Sequence, residues 1–275
     1  MRRRMRRLIV NADDFGRSSS INEAVIRAHR EGILTTASLM VNEPGAAEAI
    51  ELAKANPGLG VGLHLALVCG KPALTPQRIP HLVNGAGQFP DNAAVAGMRC
   101  FFSRAARAEA RAEIAAQFER FASTSLSLDH VNGHLHFHLH PVVLEAILAG
   151  AERWKVRTMR LTVDPFFLNA RLAGGHWIYR ASHAILFGLL SARARSMLRQ
   201  RGIRTTDRVF GLLQNGRVER EYVARLVERL PEGDSELYSH PCAEQFKDEL
   251  AALVDPAIKA RLVSRGIRLI RYQDL

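Results

Sequence analysis

Five of the chain's eleven histidines fall between Asp129 and Pro141: His130, His134, His136, His138 and His140. Imidazole titrates near neutral pH and is the commonest protein metal ligand, so this density points to metal binding or proton transfer. Read as extended chain, the stretch puts His130, Asn132, His134, His136, His138 and His140 on one face. Val131, Gly133, Leu135, Phe137 and Leu139 take the other. Six same-face positions span about 30 Å, so a single ion reaches at most one or two of these histidines. Its remaining ligands, a carboxylate or more imidazoles, must come from elsewhere; Asp13-Asp14 and His64 stand at strand ends, and His240-Pro241 on a separate strand can supply acid–base chemistry. One carboxylate and two imidazoles leave open positions on a divalent ion that activates water. Of two adjacent aspartates, one can ligate while the other accepts a proton, and a histidine on a separate strand can protonate a leaving amine. The combination describes metal-assisted hydrolysis of an amide or ester. Taken singly, the parts have plainer readings: a capping turn for Asp13-Asp14, a buried or capping residue for His240, a surface turn for the histidine run.

These residues need elements to hold them. Residues 8–12 read as a short buried strand that delivers Asp13 and Asp14 at its C-terminal end. Ser18 to Ser20 can cap a helix over 21–31, stopped at Gly32. Further strands are expected at 35–41, ending in Asn42, and at 60–65, carrying His64. Others follow at 158–163, 209–213, 237–239 and 268–272. Helices are expected at 46–55, from 103 to about 121, and at 141–154, 219–230 and 249–254; the second would hold Glu109 and Glu113 on a solvated face. Residues 70–95, with Pro72, Pro76, Pro80 and Pro90, read as a long loop. Strand and helix alternate about seven times, which implies a parallel α/β sheet and, at this length, a closed barrel. Asp13, Asp14, Asn42, His64, the histidine run and His240 all fall at strand ends, which in a barrel meet at one mouth.

The bulk composition agrees. A chain of 275 residues, 47% hydrophobic, suits one large α/β domain. No apolar run approaches the roughly 18 residues that a spanning helix needs. The basic start, Met1 to Arg7, is followed by only three apolar residues before two acids, so no secretory signal is expected. Cys69, Cys100 and Cys242, odd in number and far apart, suit a reduced cytosolic protein. The formal charge of +11 asks for an anionic partner. Residues 165–206 hold seven arginines and no acid, beside Phe166, Phe167, Trp177, Tyr179 and an apolar run at 184–190. Such a segment suits the face of an anionic membrane, or else an ordinary core helix flanked by solvated arginines. No nucleic-acid module is visible, and no nucleic-acid partner is expected.

Asn11-Ala12-Asp13-Asp14-Phe15-Gly16, Gly62-Leu63-His64, Gly70-Lys71-Pro72, the His-x-His-x-His run, Ser239-His240-Pro241 and the closing Arg271-Tyr272-Gln273-Asp274 resemble the YdjC-like carbohydrate deacetylases, which include the chitooligosaccharide deacetylases. Order and spacing match across nearly the whole chain except the basic insertion at about 165–206. The resemblance implies a single domain over 1–275, a deformed TIM-like (β/α) barrel that removes the acetyl group from an N-acetylated sugar with one divalent metal. Carried onto this chain, it makes Asp14, His64 and His134 the ligands, Asp13 the general base and His240 the general acid. His136, His138, Arg160 and Asn42 are expected at the substrate. The run here reads Asn132-Gly133-His134-Leu135-His136, where relatives often carry an acid and a further histidine, so the residue that orients His134 stays open.

Nitrogen-rich ligation suits zinc, cobalt or nickel better than magnesium. The insertion and the Arg-rich start are most similar to the branch associated with hopanoid biosynthesis. That implies an N-acetylglucosaminyl group on a hopanoid lipid and a cytoplasmic protein at the inner face of the membrane. Two competing readings are a barrel metal phosphoesterase, which would want more carboxylates for two ions, and a non-catalytic His-rich metal-binding or membrane-adapter protein.

Overall fold

The computed structural model describes residues 4–275; Met1, Arg2 and Arg3 of the basic start lie outside the described residues. In chain order the elements are β1 (Arg6–Phe15), α1 (Ser19–Glu31), β2 (Thr36–Leu39), α2 (Ala46–Lys54), β3 (Gly60–Leu65), α3 (Ala93–Phe102), α4 (Arg104–Ser123), β4 (Leu128–Gly133) and α5 (Pro141–Gly150). Then come α6 (Phe166–Leu172), α7 (Trp177–Gln200), β5 (Arg208–Phe210), α8 (Arg220–Arg229), β6 (Gly233–Ser239), α9 (Lys247–Leu253), α10 (Pro256–Ser264) and β7 (Arg268–Leu269).

All the strand pairings are parallel, in the order β4-β3-β2-β1-β6-β5. β7 pairs with the first residues of β1, below the point where β2 begins. From Leu8 onward every residue of β1 is buried, as expected of a parallel strand covered on both faces. The sheet curls into a deformed TIM-like barrel that regular pairing leaves incompletely closed. The expected strand at 158–163 fills the gap between β4 and β5 with isolated pairings rather than a full ladder. Arg160 N–H donates to the Val131 carbonyl and Val209 N–H to the Val163 carbonyl, at 3.0 and 2.9 Å.

Because every strand runs the same way, the C-terminal ends of β1, β3, β4 and β6 converge at one mouth. Ser18 caps α1 as expected, its side chain accepting from the Ile21 N–H. Asn22 on the same helix accepts from the Gly16 N–H at 2.8 Å, which fixes the turn that carries Asp14. No helix among the described residues is long and apolar enough to cross a membrane.

Two expectations fail for identifiable reasons. The histidine run is not extended throughout: β4 stops at Gly133 and residues His134–Leu139 coil into a tight 3-10 turn, with Leu135 and His136 in the left-handed region at φ 49° and 57°. Alternation of faces therefore holds only for His130 and Asn132. Glu113 does not lie on a solvated face. It is fully buried, accepting from the backbone N–H groups of Ala73 and Leu74 at 2.7 and 2.9 Å, and from Gln117 at 2.8 Å. A carboxylate that satisfies two loop N–H groups anchors the long 70–95 loop to α4. That loop also runs directly into α3, a helix its composition did not announce.

The basic insertion folds as α6 and α7. Arg180 donates to the Leu213 and Asn169 carbonyls, and Asp164 accepts from Asn169 and from the Leu213 N–H, so a buried polar clamp joins the insertion to the barrel. Phe187, Ser191, Ala194 and Leu198 form the inward face of α7.

Candidate metal centre and active-site cavity

Asp14, at the end of β1, His64, near the end of β3, and His134, just past β4, bring one ligating atom each to within 4.8 Å of the others, and all three are buried. Asp14 is held in the left-handed region at φ 64°, a conformation that costs an L-residue energy and recurs where function demands a fixed side-chain direction. Arg17 donates to its Oδ2 at 3.0 Å, which turns Oδ1 toward the histidines. His134 Nδ1 lies 2.9 Å from that oxygen and His64 Nε2 3.2 Å from it.

The tautomer of His64 decides what this cluster can hold. Asn132 donates its amide to Asp13 Oδ1 and Ser38 Oγ, so its Oδ1 faces His64 Nδ1, at 2.7 Å, as an acceptor only. His64 Nδ1 must therefore donate. Its Nε2 then presents a lone pair to the Asp14 lone pairs, and this buried nitrogen has no hydrogen-bond partner. Two acceptors facing each other away from water repel unless a cation or a proton lies between them. Donor atoms bound at about 2.1 Å in a tetrahedral shell sit roughly 3.4 Å apart, close to the 3.2 Å from Asp14 to His64 and a little wider than the 2.9 Å from Asp14 to His134. The residues fit a divalent ion.

Asp13 occupies different surroundings. Its Oδ1 accepts from Asn11 at 2.9 Å, Asn132 at 3.0 Å and Arg160 Nη2 at 3.0 Å; its Oδ2 accepts from Arg160 Nη1 at 2.7 Å. Burial opposes its charge, but Arg160 and His64 more than offset that, and the carboxyl is held far below the usual carboxylate range. Asp14 is likewise held well below it, burial being outweighed by the His134 imidazolium and, when its Nε2 carries a proton, by His64. Burial and the nearby Arg160 keep His136 neutral, well below the usual imidazole value.

Asp13, His64, His134, His136 and His240 all line one cavity of about 680 Å³. Much of the remaining lining is apolar, from Met98, Phe101 and Phe102 of α3 and from Leu186, Phe187 and Leu190 of α7. The imidazole of His240 stands edge-on to the Tyr238 ring, 5.7 Å between centroids, while its backbone N–H is fixed by Glu249 at 2.6 Å.

Three residues expected at the substrate are elsewhere. Arg160 is fully buried beneath Asp13, its guanidinium shared between Asp13 and Glu236, so it meets charge inside the protein and not a ligand. His138 is fully buried and braces the Arg160 carbonyl at 3.2 Å. Asn42 accepts from Arg120 at 3.2 Å and does not line the cavity. Conversely, Tyr238 drew no attention in the sequence. Its hydroxyl lies 3.0 Å from His136 Nε2 and its ring beneath the Arg160 guanidinium, 4.4 Å from centroid to Cζ. Only its position two residues before His240, near the end of β6, could have signalled it.

Comparison with known proteins adds a family. The profile described as YdjC-like protein matches residues 7–264. A carbohydrate deacetylase of Geobacillus stearothermophilus is 32% identical over 280 residues, covering 97% of this chain and 96% of that protein. One from Brevibacillus brevis is 44% identical over 150 residues, 54% of this chain and 57% of its own length. Among solved structures, one from Enterococcus faecalis V583, named for cellobiose-phosphate cleavage, superposes with a TM-score of 0.76 over 98% of both chains at 23% identity, a likeness of fold.

Proposed function

The chain belongs to the YdjC-like protein family, and on that premise we propose that it is a carbohydrate N-deacetylase, a hydrolase that cleaves the amide of an N-acetylated sugar. The observation that carries this reading is that an ionised Asp13, His240 and the two histidines of the Asp14–His64–His134 cluster all line one cavity. A divalent ion held by Asp14, His64 and His134, zinc by preference and otherwise cobalt, nickel or magnesium, would supply Lewis acidity and a water of lowered pKa. Among the described residues this is the one such group of three, which suits a single-ion hydrolase better than a two-metal phosphoesterase.

Asp13 acts as the base. Its Oδ1 already accepts three hydrogen bonds, whereas Oδ2 accepts one, so Oδ2 has the lone pair with which to take the proton of the attacking water. Arg160 holds that oxygen in place. His240, which lines the same cavity, donates a proton to the departing sugar nitrogen. Water is thereby divided across the bond, hydroxyl to the acetyl carbon and hydrogen to the amine, giving acetate and a free amino sugar. His136 and Tyr238 border the space beside the reacting amide.

The finer reading is an N-acetylglucosaminyl group on a hopanoid lipid, handled in the cytoplasm against the inner face of the membrane. What supports it is the mixed lining of the cavity: the polar groups of the site share it with apolar side chains of α3 and α7, which suit a substrate that carries a sugar on a rigid lipid. The test is to incubate the protein with N-acetylglucosamine conjugates, soluble and lipid-linked, with and without a chelator, and to assay released acetate. Release that a chelator abolishes supports the reading; no release from any N-acetylated sugar in the presence of metal would sink it.

A further inference from the structure

Large apolar side chains exposed to water are scarce on most of this molecule and concentrated in one place. Among the described residues all of them except Met5 and Val263 lie on α3, α6, α7 or at Leu135. They project strongly: Phe102 is 76% exposed, Phe167 82%, Ile178 89% and Leu189 70%. On α7 the spacing of Ile178, Ile185 and Leu189, seven and then four residues apart, draws one outward stripe. The opposite face of the same helix is already occupied by the core. This helix therefore carries two apolar faces, and one has no partner among the described residues.

The surroundings of the patch are cationic. No acidic residue occurs between 165 and 206; the exposed Arg171 and Arg193 lie on α6 and α7, the latter paired with Glu145 at 2.9 Å, and the exposed Arg99 of α3 and Arg104 of α4 flank Phe101 and Phe102 in the sequence. The patch is also continuous with the cavity, because Met98, Phe101, Phe102, Leu135 and Leu186 belong to both. That continuity selects the occupant. A second copy of the chain or a partner protein seated on these residues would cover the mouth of the catalytic cavity. A lipid surface would cover the same residues and still let an amphiphile pass from the bilayer into the cavity.

We propose that the outward faces of α3, α6 and α7 form the surface by which this protein docks on an anionic bilayer, with the cavity mouth opening into the lipid. The inference rests on the lipid-linked reading of the substrate and adds the surface through which that substrate arrives. Apolar side chains enter the boundary between headgroups and acyl chains, and the arginine collar meets the phosphates.

Co-sedimentation of the full-length protein with phosphatidylcholine vesicles, with and without phosphatidylglycerol, tests it. The variant I178E/I185E/L189E changes three exposed residues that do not line the cavity. Its thermal melt should match the parent, which separates loss of docking from loss of fold. The parent should bind anionic vesicles about tenfold or more tightly than neutral ones, with binding weakened by salt, and the variant should lose most of that binding. A parent that stays in the supernatant with both vesicle types overturns the proposal. So does a variant that binds as well as the parent, or a parent that sediments as a dimer which the same substitutions dissociate. Because vesicle binding is read without turnover, its failure is distinct from a failure to release acetate from a soluble N-acetylglucosaminide.

Discussion

Arg160 grips Asp13 with a fork, Nη1 to Oδ2 at 2.7 Å and Nη2 to Oδ1 at 3.0 Å, from a fully buried position beneath the cavity. The same guanidinium reaches Glu236 Oε1 from Nε at 3.0 Å and from Nη2 at 2.6 Å, and the Tyr272 hydroxyl donates to the other Glu236 oxygen. One fixed cation thus balances two buried carboxylates, and the last turn of the chain is tied to the floor of the site. The proposed base is held by residues from β1, β4 and the 158–163 segment, so its direction is a property of the barrel.

Replacing Arg160 by Met should therefore do more than remove a bond. It leaves Asp13 and Glu236 buried without a counter-charge, which costs about 3–5 kcal/mol. Denaturant titration should show a fall of that size, and an unchanged midpoint would mean that water or another cation takes Arg160's place.

Asp13→Asn keeps size and most hydrogen bonds but removes the acceptor of the proton. If Asp13 is the base, kcat should fall by about 10²–10⁴ while bound metal is retained. Single-turnover acetate release alongside metal analysis separates the two. Loss of metal together with activity would move Asp13 into the ligand set.

Much of this arrangement was legible in the chain. Asp13, His64 and His240 each follow a short apolar strand, and polar residues at successive strand ends of a parallel barrel must converge. The histidine run was harder, because period-two alternation presumes extended backbone, and the left-handed turn at Leu135 and His136 aims those side chains by its own geometry. Arg160 and Glu113 were misplaced for a shared reason. Each is a charge buried deep in the structure, and its partners, Asp13 and Glu236 for one and the Ala73-Leu74 backbone for the other, are far away in sequence. Nothing local marks a charged residue as buried when its partner lies on another strand. The 158–163 segment reads as a strand and behaves as the irregular closure of the barrel, which depends on both its neighbours.

The clamp under the insertion should make stability depend on pH. Burial pushes the Asp164 carboxyl up to about 7 from its ordinary 3.8, against the opposing Leu213 N–H, Asn169 and Arg180. Between those values the folded chain keeps a proton that the unfolded chain releases. The resulting contribution is full below about pH 4 and declines as the pH rises toward about 7. Asp164→Asn should flatten that part of the profile. Urea midpoints at about pH 5 and about pH 8 for both proteins measure it, and equal slopes would contradict the assignment.

The most direct measurement is the metal content of the purified chain after zinc loading and exhaustive dialysis, compared among variants. The account predicts one tightly held ion per chain in the parent and in Asp13→Asn, and its loss in each of Asp14→Ala, His64→Ala and His134→Ala. A parent that retains no ion, or three ligand variants that all retain it, would contradict the claim that these scattered residues form one cation site.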